Sequence, residues 1–215
     1  MRVNLSLTMI FNLLFTVCFN LSITTFFKGL ITLFRLCLRD ATGRWWEHMT
    51  NAIRILGLDP GLRRTGWGVV AVDGARLIHI GHGVIAPRDT LPFAERLLFL
   101  FQAIVAVIEE YAPHEAAVEE TFVTANGSST LKLGHARAAA MIAPAQAGLP
   151  VAEYAAKVVK KSVVGTGGAD KAQVAFMIAR LLPTAGSPTA DAADALAVAI
   201  AHAHARRTRK LGAAA

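Results

Sequence analysis

From residue 51 onward, short runs of branched apolar residues alternate with longer stretches whose apolar positions recur every three or four residues. Ile53–Asp59 (IRILGLD) is an apolar run that ends on a carboxylate, and Gly66–Val72 is a second such run. The Pro60-Gly61 turn between them predicts an antiparallel hairpin. Asp73-Gly74 is a hairpin dipeptide, and Ala75–Ala86 follows as a third strand. In Leu91–Tyr111 the residues Leu91, Ala94, Leu97, Leu98, Phe101, Ile104, Val105 and Ile108 mark one helical face, and Pro113 ends the helix. Glu115–Thr121 is a short strand that also closes on an acid, Glu119. Gly127–Gly148 predicts an alanine-rich helix with Ser129 or Thr130 near its start. Pro150–Tyr154 reads as a strand, Lys157–Val164 as a brief helix, Gly165–Gly168 as a loop and Ala169–Leu182 as a helix. Pro183–Thr189 is a loop, and Ala190–Arg207 is the final helix. Three consecutive strands followed by alternating helices and strands predict an α/β domain, a mixed sheet flanked by helices. There is no internal repeat and no sign of a second domain.

The first 48 residues follow a different pattern. Leu5 to Phe27 carries no charge and is rich in Leu, Phe, Ile and Thr, long enough for a membrane helix. Lys28, Arg35, Arg39 and Arg44 follow it, which by the positive-inside rule would keep the body of the chain cytoplasmic. No A-x-A site closes the run, so a cleaved signal peptide fits less well. The segment holds one alanine, Ala41, and most of the phenylalanines, whereas the body is crowded with Ala, Gly and Val. That break reads as upstream sequence translated ahead of a start at Met49. A membrane anchor and a disordered tail are the alternatives. The expected organisation is an extension over 1–48, one domain over 49–208 and a disordered basic, alanine-rich tail over 209–215. An intact mass that begins at or just after Met49 supports the first reading, and a mass from Met1 ends it.

With 215 residues the chain is long enough for one domain with a real core. Its net charge of +7 and pI near 9.9 favour a polyanionic partner or an anionic membrane surface. Both cysteines, Cys18 and Cys37, lie in the first 48 residues, which excludes a disulfide framework or a cysteine metal site from the body and fits a reducing, cytosolic setting.

Candidate chemistry sits on acids. A carboxylate at the end of a core strand costs several kcal/mol unless it is paired, and two predicted strands end that way, at Asp59 and Glu119. The last helix opens SPTADAADALA, and Asp191 and Asp194, three apart, share one of its faces. Each acid alone has a plain explanation: Asp191 and Asp194 complement the helix dipole, Glu119 or Glu120 is a solvated strand end, and Asp59 caps its own turn. Parallel pairing of the first strand with the Glu119 strand would set Asp59 beside Glu119, and the final helix packed across them would bring four carboxylates together. Such a cluster cannot stay ionised without a cation, and oxygen donors favour Mg²⁺ or Mn²⁺. Two such ions form the clamp used for in-line phosphoryl displacement. Gly61, Gly66 and Gly68 would let phosphate or metal approach the backbone, although hairpin geometry asks for glycine too.

The segments ILGLDPGLRRTGWGVV, AVEETF, TLKLGHARAAA, EYAAKVVKKSVVGTGGADKAQV and ADAADALAVAIAHAH, in this order, resemble the RuvC Holliday junction resolvases of the ribonuclease H-like superfamily. The resemblance runs from about Ile53 to about His204. It implies a ribonuclease H-like fold with a five-stranded mixed sheet, and it places Asp59, Glu119, Asp191 and Asp194 at four catalytic positions that bind two Mg²⁺. It implies a homodimer that nicks two like-polarity strands of four-way junction DNA symmetrically, preferring a short T-rich sequence and leaving 5′-phosphate and 3′-hydroxyl ends. The RuvA–RuvB branch-migration complex is the implied partner, no small-molecule cofactor is implied, and the implied setting is the bacterial cytoplasm. Phe122 matches an aromatic set against bases. Lys160 and Lys171 match positions that hold the DNA backbone, with Lys161 and Arg64 as additions. Glu120 is given no catalytic role. Ala125 stands where some relatives have a lysine, which weakens one expected DNA contact, and His135 stands where glutamine is common. His202 and His204 are read as partly buried or exposed helix residues, not ligands. The small residues of Leu131–Ala147 suit a dimer contact, and monomer core packing would give the same composition.

Three rivals remain. An actin-like ATPase opens with a similar strand, turn and hairpin, but it needs two such domains and an adenosine pocket. A ribosomal-RNA processing nuclease of the YqgF type shares the start, while ADAADALA and VVGTGGADKAQV favour the resolvase. A non-catalytic junction-binding module would need a lost carboxylate, and none is lost.

Overall fold

The computed structural model describes residues 51–120 and 127–212. The elements are β1 (Ile53–Asp59), β2 (Thr65–Asp73), β3 (Arg76–Ile85), α1 (Phe93–Tyr111), β4 (Glu115–Glu120), α2 (Gly127–Gln146), β5 (Val151–Ala155), α3 (Ala156–Val164), α4 (Lys171–Leu181), a 3-10 turn (Pro183–Ala185) and α5 (Ala190–Gly212). They form a five-stranded sheet in the order β3-β2-β1-β4-β5. The first three strands pair antiparallel, and β4 joins β1 and β5 in parallel, so the sheet is mixed as expected. Gly74, at φ 58°, makes the tight β2–β3 turn. The final helix continues through Gly212, into the stretch expected to be a disordered tail. Among the described residues, no helix is long and apolar enough to cross a membrane. The candidate anchor, Cys18 and Cys37 lie outside the described residues.

Strand alternation assigns the two faces. Ile55 on β1, Val70 on β2 and Ala117 on β4 join a buried cluster with Leu196, Val198 and Ile200 of α5, to which α3 adds Val159 and Val163 and α4 adds Ile178. Each fully buried Leu or Ile here contributes about 1.5–3 kcal/mol. The opposite face meets α1, where Trp67 of β2 lies against Tyr111, with ring centroids 5.2 Å apart.

The phase of α1 differs from the pattern read along the sequence. Leu100, Ile104, Val107 and Ile108 are its buried residues, while Leu98 is 53% exposed. The helix is apolar almost all round, so a 3.6-residue period fits more than one stripe. In α2 the small residues Ala136, Ala140 and Ala143 are fully buried in the monomer, the second of the two uses open to them, and the large apolar residues Leu131 and Ile142 are exposed.

Candidate active site

Asp59 is the last residue of β1. The parallel register puts Leu58 opposite Val118, so Asp59 and Glu119 leave adjacent strands at the same level, one residue further on. Both share the sheet face covered by α5, whose first turns carry Asp191 and Asp194. Close packing of that helix depends on glycine. A Cβ at Gly57 would collide with backbone of Ala195 and Ala199, and one at Gly66 would overlap the carbonyl of Asp191. At Gly68 it would stand 2.7 Å from Leu196 Cδ2. Gly66 therefore admits the helix backbone and Gly68 the Leu196 side chain, a use that neither sequence-based reading of them anticipated. Gly61 lies in the β1–β2 turn against the Arg64 carbonyl, as hairpin geometry requires.

That turn is pinned from within. The buried Thr65 donates its hydroxyl to Gly61 O at 2.7 Å and accepts from Gly61 N at 3.1 Å. Arg96 of α1 reaches across to donate to Leu62 O at 3.0 Å. Thr65 and Arg96 were not singled out in the sequence. Thr65 is a polar residue at the mouth of a turn, a signal that was there to read, whereas nothing along α1 marks Arg96. Among the described residues, Asp59 does not cap this turn.

The four acids interact. Burial, then Glu119, Asp194 and Asp191 in that order, push the Asp59 carboxyl up to about 7, with Lys171 opposing. Burial and Asp194 push Glu119 up to about 7, against Lys160 and Lys171. Asp194 is raised as well, by burial first and by Asp191, with Lys171 and Lys160 opposing. Lys171 Nζ stands 3.9 Å from Asp194 Oδ2, and Arg64 Nε donates to Asp191 Oδ2 at 2.5 Å. Glu119, Asp194, Lys160 and Lys171 line one cleft of about 270 Å³.

In this conformation no three His, Cys, Asp or Glu side chains among the described residues are arranged to hold a metal ion. The donor set nevertheless fits a hard divalent cation. All four groups offer oxygen, they face one another across a helix–sheet seam, and burial first, then repulsion among the acids, pushes Asp59 and Glu119 up to about 7 against the opposing lysines. Asp59, Glu119, Asp191 and Asp194 are the residues that would hold such an ion.

Of the other expected site residues, Lys160 and Lys171 stand on the cleft and Arg64 on Asp191. Lys161 is exposed on α3 and does not line the cleft. Phe122 and Ala125 lie outside the described residues. Glu120 ends β4 beyond Glu119. His202 is only 4% exposed, more buried than expected. Its Nε2 is 2.8 Å from Glu115 Oε2, its Nδ1 is 2.8 Å from the Tyr154 hydroxyl, and Arg206 Nε donates to Glu115 Oε1 at 2.7 Å. His204 Nδ1 is 3.0 Å from Ser162 Oγ. Both histidines belong to the far end of α5, away from the four acids.

A model of the family described as crossover junction endodeoxyribonuclease RuvC matches residues 55–202. A protein of Caulobacter vibrioides named crossover junction endodeoxyribonuclease RuvC is 72% identical over 146 residues, covering 68% of this chain and 86% of that protein. One of the same name from Maricaulis maris is 62% identical over 167 residues, 78% of this chain and 100% of that protein. Among solved structures, Thermus thermophilus RuvC in complex with a Holliday junction substrate is similar at a TM-score of 0.68 and 34% identity, covering 73% of this chain and 96% of that one.

Proposed function

The chain belongs to the RuvC family of crossover junction endodeoxyribonucleases and is an endonuclease of that kind, and from that premise we propose that Asp59, Glu119, Asp191 and Asp194 are its catalytic, metal-binding residues. The observation that carries the assignment is the convergence of two strand-end acids with two acids of α5, at a place where burial and mutual repulsion push Asp59 and Glu119 up to about 7. The ions are two Mg²⁺ per subunit, replaceable by Mn²⁺. Asp59, Glu119, Asp191 and Asp194 would hold them, and the ions would supply Lewis-acid activation of water and positive charge beside the departing 3′-oxygen. The chain's own groups do the rest. Lys160 and Lys171 place the DNA backbone on the cleft, Lys161 extends the basic surface along α3, and Phe122 stacks on a base at the junction centre.

The substrate is a four-way DNA junction, nicked symmetrically to leave 5′-phosphate and 3′-hydroxyl ends. Two active sites per junction require a homodimer. Its contact is assigned to the α1–α2 face, where Leu98, Phe99, Leu131 and Ile142 are exposed at 53%, 44%, 64% and 56%. The nuclease domain spans 49–208, works in the bacterial cytoplasm beside the chromosome, and receives junctions from a RuvA–RuvB complex.

The test offers the full chain a mobile four-way junction, a linear duplex and an RNA duplex, in Mg²⁺ and in Ca²⁺, with Glu119→Gln as control. Paired nicks in the junction alone, dependent on Mg²⁺ and lost in the control, are expected. Equal cutting of RNA would replace the assignment with an RNA-processing nuclease, and binding without cutting would replace it with a junction-binding module.

A further inference from the structure

Three of the four acids are countered, where they are countered at all, by lysines at the edge of the cleft. Asp191 is treated differently. It holds a charge-assisted hydrogen bond at 2.5 Å from Arg64 Nε to its Oδ2, between side chains 53% and 32% exposed. Arg64 thus occupies one of the two oxygens through which Asp191 would bind a divalent cation, and its charge competes with the cation for the same carboxylate. A guanidinium keeps its charge at every relevant pH, so it leaves this carboxylate by moving and not by losing a proton. The backbone beneath it is fixed by the Thr65–Gly61 pair and by Arg96 on Leu62 O, so the motion falls to the side chain, which has solvent on its outer side. Two further cations, Lys160 and Lys171, line the cleft that Glu119 and Asp194 share.

The geometry points to Arg64 as an exchangeable counter-cation: it holds Asp191 while the site lacks a divalent ion and passes to a DNA phosphate when the ion takes its place, so that metal binding and junction binding strengthen each other through this one side chain. The inference rests on the reading of Asp191 as a metal ligand. Arg64 is a positioning residue in this account, not a catalytic one, because it acts through Asp191 and the DNA backbone and touches no reacting atom. Linkage makes the effect reciprocal: whatever factor DNA adds to metal affinity, metal adds to DNA affinity.

The test compares the full chain with Arg64→Gln, Arg64→Lys and Glu119→Gln. Mn²⁺ binding is measured by titration calorimetry without DNA, and junction affinity is measured with Ca²⁺ and with chelator. Thermal melting confirms that each variant is folded. Without DNA, Arg64→Gln is expected to bind Mn²⁺ about tenfold more tightly than the parent chain, because no competing cation remains, a factor within the ordinary range of coupling between two sites. The gain in junction affinity brought by Ca²⁺ is expected to shrink by a similar factor, and Arg64→Lys is expected to fall between. Mn²⁺ affinity equal to or weaker than the parent's in Arg64→Gln, with binding still lost in Glu119→Gln, overturns the exchange and leaves the metal site standing. Mn²⁺ binding that is absent, or indifferent to Glu119→Gln, overturns the metal site itself and the exchange with it.

Discussion

Glu115 and Glu119 lie on one face of β4, and both look toward α5. At one end of that seam Glu115 accepts from Arg206 at 2.7 Å and faces His202 Nε2 at 2.8 Å, with Tyr154 behind the histidine. Burial alone would raise its carboxyl, but the hydrogen bonds from Arg206 and His202 hold it below the usual carboxylate range. At the other end Glu119 has no such donors among the described residues: burial first, and then Asp194, push its carboxyl up to about 7 against Lys160 and Lys171. Same residue type, same strand, same helix: the partner decides whether a carboxylate is part of the scaffold or waits for something the chain does not contain. An acid at a strand end is thus no sign of chemistry by itself. An acid at a strand end whose neighbours are acids is.

The contrast predicts opposite outcomes for matched substitutions. Glu119→Gln should lower junction cleavage by about 10³ or more, the order lost when one charge-stabilising group leaves an active site. It should leave the melting temperature of the metal-free chain unchanged or higher, because one source of repulsion is gone. Gly66→Ala tests the same end without touching an acid. The added methyl must displace the Asp191 backbone, and a misplacement near 1 Å is worth about 10² in rate, read as cleavage at saturating Mg²⁺. At the other end, Glu115→Gln should destabilise the fold by about 1–3 kcal/mol in urea denaturation, less than for a fully buried pair because the site is partly open to water. Cleavage at low temperature should be near the parent rate. Equal effects of the two glutamine substitutions on stability would break the comparison.

Stability in chelator should depend on pH in opposite directions at the two ends. Asp59 and Glu119 start from ordinary values of 3.8 and 4.5 and hold their protons to about 7 in the folded chain, so folding takes up protons between about 4 and 7 and these acids cost stability as pH rises through that window. Glu115, lowered on folding, contributes stability above the ordinary value of 4.5 and loses it as pH falls through its depressed value. Melting curves from about pH 2 to 8 should therefore flatten in Glu119→Gln on the neutral side and in Glu115→Gln below the ordinary value of 4.5. The smallest effect is expected from Tyr154→Phe, which removes one hydrogen bond to His202 and should cost about 1 kcal/mol.

Much of the active end was legible because its logic is local. A carboxylate that closes an apolar run is visible in the sequence, as is the three-residue spacing of Asp191 and Asp194, and the parallel pairing of β1 with β4 that the sequence only allowed is the one observed. The scaffold end was not legible. Glu115 and His202 are 87 positions apart, and nothing along the chain ties them together. His202, read as a partly buried or exposed helix residue, is on the helix but more deeply buried than that for this reason. The stripe of α1 was misplaced because its apolar residues surround the helix, so only packing against the sheet selects Leu100 over Leu98. For Arg64 the sequence shows a cation beside a candidate site but not that Asp191 holds it.

The three glycines beneath α5 matter for how relatives of this chain are recognised. Gly57, Gly66 and Gly68 carry no functional group, yet the helix backbone closes Gly57 and Gly66 to any side chain, and Leu196 crowds Gly68. A descendant that had abandoned cleavage could shed all four acids and keep its fold, but it would still need those glycines. The acids therefore diagnose a working nuclease, and the glycines diagnose the architecture. A chain that keeps the second signature without the first would be a retired enzyme, identifiable before any assay is run.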